Sequence, residues 1–154
     1  MIPLYLVSCG ILSKPSLYLS DFFERNRASY YDALMRVRTS NDLIHWVRFF
    51  LSGVADTARK GREVFSAVLQ LRTEVEQQVM TLGKRSATAR EALHLLYRKP
   101  IVTAAQLVSG LGVSSPTAQT LIREFERLGI LRENTGRLKG RVYGFDRYLS
   151  LFLS

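Results

Sequence analysis

The chain has 154 residues, 47% of them hydrophobic, with 22 Lys/Arg against 13 Asp/Glu, a net charge of +9 and a pI of about 10.1. That apolar share excludes a disordered tail, and the length allows one ordinary domain or two small ones. The charge points to a polyanion, either nucleic acid or an anionic membrane surface, and the single cysteine, Cys9, excludes an intrachain disulfide.

Met1 to Leu12 is apolar but has no positive residue before the run, and it is too short to span a bilayer. It is expected to be a core helix rather than a signal peptide, with Cys9 as a small buried side chain. Lys14-Pro15 breaks it. A second helix is predicted from about Leu19 to Val37, with Phe22, Phe23, Tyr30, Ala33, Leu34 and Val37 at spacings of three and four.

Ser40-Asn-Asp42 offers N-cap residues for a third helix, which has no proline from Asp42 to Leu82. Leu43, Trp46, Val47, Phe50, Leu51 and Val54 form its first apolar face, and Val64, Val68, Leu71, Val75 and Val79 continue the spacing. Gly53 and Gly61 are candidate bends, so the pattern allows one long helix or two. Gly83-Lys-Arg-Ser86 reads as a linker, with Gly83 as a helix stop and Ser86 as the next N-cap. Domains are therefore expected over 1–83 and 84–154.

Ala87 to Tyr97 is predicted as a helix with a buried stripe of Ala89, Ala92, Leu93 and Leu96, ended by Pro100. Thr103 to Gly112 is a short helix with a glycine exit. Val113 to Gly129 is a longer one, with Ser114 or Ser115 as N-cap and Pro116 in the first turn. Ala118, Leu121, Ile122, Phe125 and Leu128 make its core face. Thr117, Gln119, Thr120 and Arg123 fall largely on the other face. One small β-hairpin is predicted between about Ile130 and Phe145, with Arg132, Arg137, Lys139 and Arg141 around its turn.

That order of elements reads as a winged helix-turn-helix, which sets one helix in a DNA major groove and a hairpin beside it. The charge is placed to match. Lys84 onward holds twelve Lys/Arg and five acids, a net +7, whereas residues 1–83 hold ten and eight, a net +2. Short polar groups near a helix start can contact phosphates and base edges together. The candidate DNA-binding set is Ser114, Ser115, Thr117, Gln119, Thr120, Arg123, Arg127, Arg132, Arg137, Lys139 and Arg141. A winged helix used only for protein contacts is the alternative, and Glu124 and Glu126 weaken the positive field near the second helix.

Catalytic patterns are poor. His45 and His94 are the only histidines and lie in different predicted helices; His45, beside Trp46, is expected to be a hydrogen-bonded structural side chain. No Cys/His cluster, glycine-rich phosphate loop or acid/base pair is legible, so no metal and no cofactor is expected.

Pro15-Ser-Leu-Tyr-Leu-Ser20, Phe23, Asn26-Arg27, Tyr30-Tyr31, Leu34 and Val37-Arg38 together carry a further signal, extended by Trp46, Phe49-Phe50-Leu51 and Gly53-Val54. This run resembles the end of a Fic domain, and Met1 to Leu12 resembles the helix after that family's active-site loop. The C-terminal half, ending in Gly140-Arg-Val-Tyr-Gly-Phe-Asp-Arg-Tyr-Leu149, is similar to the winged helix appended to many bacterial Fic proteins. The resemblance implies transfer of AMP from ATP to a hydroxyl of a target protein, carried by a His-x-Phe-x-Asp/Glu-Gly-Asn-Gly-Arg signature.

None of that signature occurs in this chain. By the resemblance it would lie just before Met1, so no catalytic residue is carried over and the chain alone is expected to be catalytically silent. The expected fold is mainly α, a helical Fic remnant followed by a winged helix-turn-helix. The expected function is DNA binding and transcription regulation in a cytoplasmic bacterial Fic-family protein, without a membrane partner. Self-association is expected through the truncated Fic part. The alternative function is a structural or target-recruiting module of a protein adenylyltransferase.

Overall fold

The computed structural model of the chain describes residues 8–10, 19–137 and 139–153. The protein is mainly helical with one three-stranded antiparallel sheet. The helix expected over Met1–Leu12 lies largely outside the described residues. Within it, Cys9 is exposed rather than buried. An apolar run buries its members only where another element packs on it.

The predicted second helix is two helices, α1 (Leu19–Arg25) and α2 (Arg27–Ser40). Asn26 separates them with a non-helical φ/ψ of −112°/35°. Its side-chain amide donates to the Phe22 carbonyl at 2.9 Å, the same oxygen that accepts its backbone N–H. Such local bonding is how asparagine interrupts a helix. Asn41 then closes α2 in the left-handed conformation, with its N–H on the Arg36 and Val37 carbonyls.

The helix α3 runs unbroken over Leu43–Met80, and the Asp42 carboxylate accepts the His45 N–H at 3.0 Å in the manner of an N-cap. Gly53 is a point of close approach, not a bend. A Cβ there would stand 2.6 Å from the Phe22 ring, which lies against the helix. Phe22 and Phe23 also meet Phe49 with ring centroids 5.5 and 6.0 Å apart. These aromatic contacts hold α1 and α3 together, and Ala33 of α2 is fully buried.

Two compact units result, divided at Phe65/Ser66 within α3 rather than at Gly83. The reason is packing: Leu71, Val75 and Val79 belong to the core of the C-terminal unit. In the N-terminal unit part of the apolar face of α3 is exposed. Leu43, Val47 and Leu51, members of the predicted apolar face, are 59%, 43% and 57% exposed, as is Ile44 at 67%. Apolar surface of this kind promotes association. The chain is expected to self-associate at high concentration, and sedimentation showing a strict monomer there would count against it. Replacing Ile44, Val47 and Leu51 with serine should return it to monomer.

In the C-terminal unit, Gly83 adopts φ +60° as expected of a helix stop, and a 3₁₀ turn (Gly83–Arg85) leads into α4 (Ser86–Arg98). Ser86 is therefore the first helical residue and not its cap; Arg85 holds that place without a side-chain cap bond. The predicted stripe of Ala89, Ala92, Leu93 and Leu96 is buried. Next come β1 (Ile101–Thr103), α5 (Ala104–Leu111), α6 (Ser115–Arg127), β2 (Arg132–Glu133), β3 (Val142–Gly144) and α7 (Asp146–Ser150).

The sheet has the order β1-β3-β2, with Val102 opposite Tyr143 and Glu133 opposite the same residue. The expected lone hairpin is thus two strands of three. Ile101-Val102-Thr103 forms the third because β3 offers it an edge and because Val102 is fully buried against the core. Among the described residues no strand precedes Ile101. Val102, Tyr143 and Phe145 from the sheet region meet Leu93, Leu107, Ile122 and Phe125 from the helices.

Candidate nucleic-acid interface

Local chemistry sets the two helices in place. Thr103 caps α5 through a reciprocal box: its hydroxyl accepts the Gln106 N–H, and the Gln106 side chain accepts the Thr103 N–H at 2.9 Å. Gly112 ends α5 with φ +63°, a conformation that favours glycine, and this turns the chain toward α6. Ser114 then caps α6, its Oγ accepting the Thr117 N–H at 3.4 Å and lying 2.8 Å from Thr117 Oγ1. Pro116 occupies the first turn, where its missing N–H costs nothing.

The exit of α6 is a Schellman arrangement. Gly129 has φ +67°, its N–H donates to the Glu126 carbonyl, and the Ile130 N–H donates to the Phe125 carbonyl at 2.8 Å. Ala118, Leu121, Ile122 and Phe125 anchor the inner face and are buried. At 3.6 residues per turn, Pro116, Thr120, Arg123 and Arg127 then occupy the opposite side. Ser114, Ser115, Thr117, Gln119, Arg123 and Arg127 are exposed and Thr120 is half-buried.

Several of these groups already have local partners. Thr120 Oγ1 donates to the Pro116 carbonyl at 3.0 Å, and Arg123 Nε reaches the Gln119 carbonyl at 3.4 Å. Arg127 pairs with Glu124 at 2.8 Å. The pair is at the surface, where such contacts contribute about 0–1 kcal/mol, so Arg127 can exchange it for a phosphate.

Arg132, Arg137, Lys139 and Arg141 are all exposed. Like Arg123, they make no ion pair among the described residues. Arg132 stands on β2, and the other three stand on the β2–β3 loop. Two devices shape that loop. Arg141 Nε donates to the Arg137 carbonyl at 2.8 Å. Glu133 gathers its N-terminal part: its carboxylate accepts the Thr135 N–H at 2.9 Å, the Thr135 hydroxyl, and the Gly136 N–H at 3.0 Å. The Thr135 hydroxyl bond, then its backbone N–H, hold the Glu133 carboxyl below its ordinary range, with the Gly136 N–H and the Arg141 charge adding to this.

A lowered carboxyl pKa contributes stability above its unfolded value and loses it as pH falls through the folded value. The loop's ordering is therefore present at neutral pH and lost in acid. In an NMR titration, the Thr135 and Gly136 amides should shift together, with a midpoint below that of an ordinary glutamate. Glu133→Gln should abolish that transition. A midpoint at the ordinary value would contradict the assigned role.

One contributor escaped the sequence reading. Arg85, read there as linker, lies with Thr88 beside Pro116, Thr117 and Thr120 in a groove of about 240 Å³ and stands 3.6 Å from Glu124. The adjacent pair Lys84-Arg85 was the only available signal. His45 is not a hydrogen-bonded core residue: it is half-exposed, and Nε2 is 3.8 Å from Asp32, beyond hydrogen-bond range. Among the described residues, no group of three His, Cys, Asp or Glu could hold a metal ion, and no helix is long and apolar enough to cross a membrane. No protein-family model matches the chain.

Proposed function

We propose that the C-terminal unit is a winged helix-turn-helix that binds DNA and regulates transcription, within a bacterial protein of the Fic family. In this reading α6 is the recognition helix and the β2–β3 loop is the wing. Thr117, Gln119, Thr120 and Arg123 meet base edges, with Ser114 and Ser115 on phosphates at the start of the helix. Arg132, Arg137, Lys139 and Arg141 meet the backbone of the duplex. The observation that carries the reading is the five exposed cations, Arg123 and the four around the wing, none of which makes an ion pair among the described residues, although the Arg141 charge acts on Glu133. A solvated basic surface without a ligand has little reason to leave them without ion pairs while nearby Arg127 and Arg85 share Glu124.

The direct test is fluorescence anisotropy of the whole chain with duplexes tiling the DNA upstream of its own gene. Saturable binding at low salt supports the proposal, and no binding to any duplex there contradicts it.

The second reading is a target-recruiting or subunit-pairing module of a protein adenylyltransferase. The exposed Ile44, Val47 and Leu51 of the N-terminal unit favour it, since such a face serves protein contact. Under either reading these 154 residues are silent alone, because the residues that would hold ATP phosphates and metal in the family signature are not among them. Labelled ATP with magnesium should give no AMP transfer. Labelling abolished by substitution of a residue in this chain would overturn that expectation.

A further inference from the structure

A groove of about 680 Å³ opens on the C-terminal unit between α4 and α5, lined by residues outside the proposed DNA face. Its volume falls within the range of small-molecule sites. Glu91, His94, Leu95 and Arg98 line it from one face of α4, where positions three, four and seven apart stack. Lys99 extends the cationic end. Gly110 lets Leu95 lie close against α5 at the floor of the groove: a Cβ there would stand 2.3 Å from Leu95 Cδ1, so any side chain would displace Leu95.

The groups in this groove are available to a ligand. His94, Arg98 and Lys99 make no ion pair or side-chain hydrogen bond among the described residues. Arg98 and Lys99 bring two positive charges to the same groove, and His94 lines it beside them. Gln106 uses its side-chain oxygen on the Thr103 N–H, which leaves its amide hydrogens to donate. Ser109 donates to the Gln106 carbonyl at 3.2 Å, which leaves its oxygen to accept. Glu91 stands two turns before Arg98 and can accept hydroxyl or amino hydrogens.

We propose that this groove binds a small organic phosphate of nucleotide size. The phosphate dianion would sit on Arg98 and Lys99, hydroxyls on Glu91, and the flat apolar part over Leu95. A monocarboxylate would match only one of the two adjacent cations, whereas a phosphate monoester carries close to two negative charges at neutral pH. The proposal does not rest on DNA binding, because none of these residues belongs to the proposed DNA set.

The test is an NMR titration of the whole chain with the 5′-ribonucleoside monophosphates, ribose 5-phosphate, ribose and inorganic phosphate. At least one phosphate ester should shift His94, Ser109 and Gly110 saturably, and inorganic phosphate should compete, while ribose alone should not bind. Arg98→Ala should weaken binding about 10- to 100-fold, the usual loss of a hydrogen bond to a charged group. Arg137→Ala with Lys139→Ala should leave it unchanged, and Glu91→Gln should weaken the esters but not inorganic phosphate. Ser109→Phe, an exposed change that fills the groove, should abolish ester binding with the fold intact by circular dichroism. Shifts that map to the β2–β3 loop, or binding indifferent to Arg98→Ala and Ser109→Phe, would overturn the proposal. So would failure of every phosphate ester to bind.

Discussion

Replacing Phe125 with alanine should destabilise the C-terminal unit by about 3–5 kcal/mol, the usual cost of removing a buried aromatic ring and leaving a cavity. Phe125 is 1% exposed and sits in the one cluster that joins α4, α5, α6 and the sheet. Its backbone carbonyl also accepts the Ile130 and Leu131 N–H groups, so its position fixes how the chain leaves α6 for β2. A loss of that size is a large part of the roughly 5–15 kcal/mol that holds a domain together. Urea unfolding should show a lower midpoint at unchanged slope. The exposed Gln119→Ala, on the same helix, should stay within about 0.5 kcal/mol. A loss near 1 kcal/mol for Phe125→Ala would mean that the core does not close around α6.

The second large effect concerns the proposed wing. If Arg127, Arg132, Arg137, Lys139 and Arg141 contact four or five phosphates, log K should fall with log salt at a slope of about −4. Removing Arg137 and Lys139 together should flatten that slope by about 1 to 2 units and weaken binding roughly 10- to 100-fold at low salt, alike for every duplex. Thr117→Ala, Gln119→Ala or Arg123→Ala should act differently. Each should change the preference between duplexes, by about 1–3 kcal/mol where it makes a good base contact. Arg127→Ala should matter less than Arg137→Ala, since its pairing with Glu124 already offsets part of its charge.

The parts of the fold that were legible in the sequence are those fixed by neighbours along the chain. Gly112 and Ser114 with Pro116 mark an exit and a cap whose chemistry spans three or four residues, whereas the Thr103–Gln106 box and the Gly129 turn emerge only in the structure. The stripe Ala118, Leu121, Ile122 and Phe125 is likewise a local period. Strand β1 escaped because three residues after Pro100 carry no measurable alternation; only the distant Val142–Gly144 makes them a strand. Leu43, Val47 and Leu51 show the converse. Their spacing announces an apolar face, but periodicity says nothing of what covers it, and they are exposed. Val75 and Val79 were read as continuing that face, yet their burial belongs to the other unit.

The candidate site divides in the same way. All eleven residues of the candidate set are solvent-facing to some degree, as their positions on α6 and around the hairpin implied. The partners that tune them were not legible. Glu124 drawing on both Arg127 and Arg85 depends on the 3₁₀ turn before α4 lying beside α6. The Glu133 clamp on Thr135 and Gly136 depends on the turn that follows β2. Neither has a spacing that a sequence pattern would single out.

On the proposed reading the C-terminal unit reads DNA with α6 and holds it with the β2–β3 loop. The most direct measurement is the salt dependence of anisotropy for the whole chain, the Arg137→Ala/Lys139→Ala double variant and Gln119→Ala, each on a bound upstream duplex and its scrambled counterpart. The wild-type slope should be about −4, the double variant should be flatter by about 1 to 2 units on both duplexes, and Gln119→Ala should lose discrimination at unchanged slope. No binding at low salt, or binding indifferent to all of these substitutions, would contradict that reading and leave protein contact as the role of this unit.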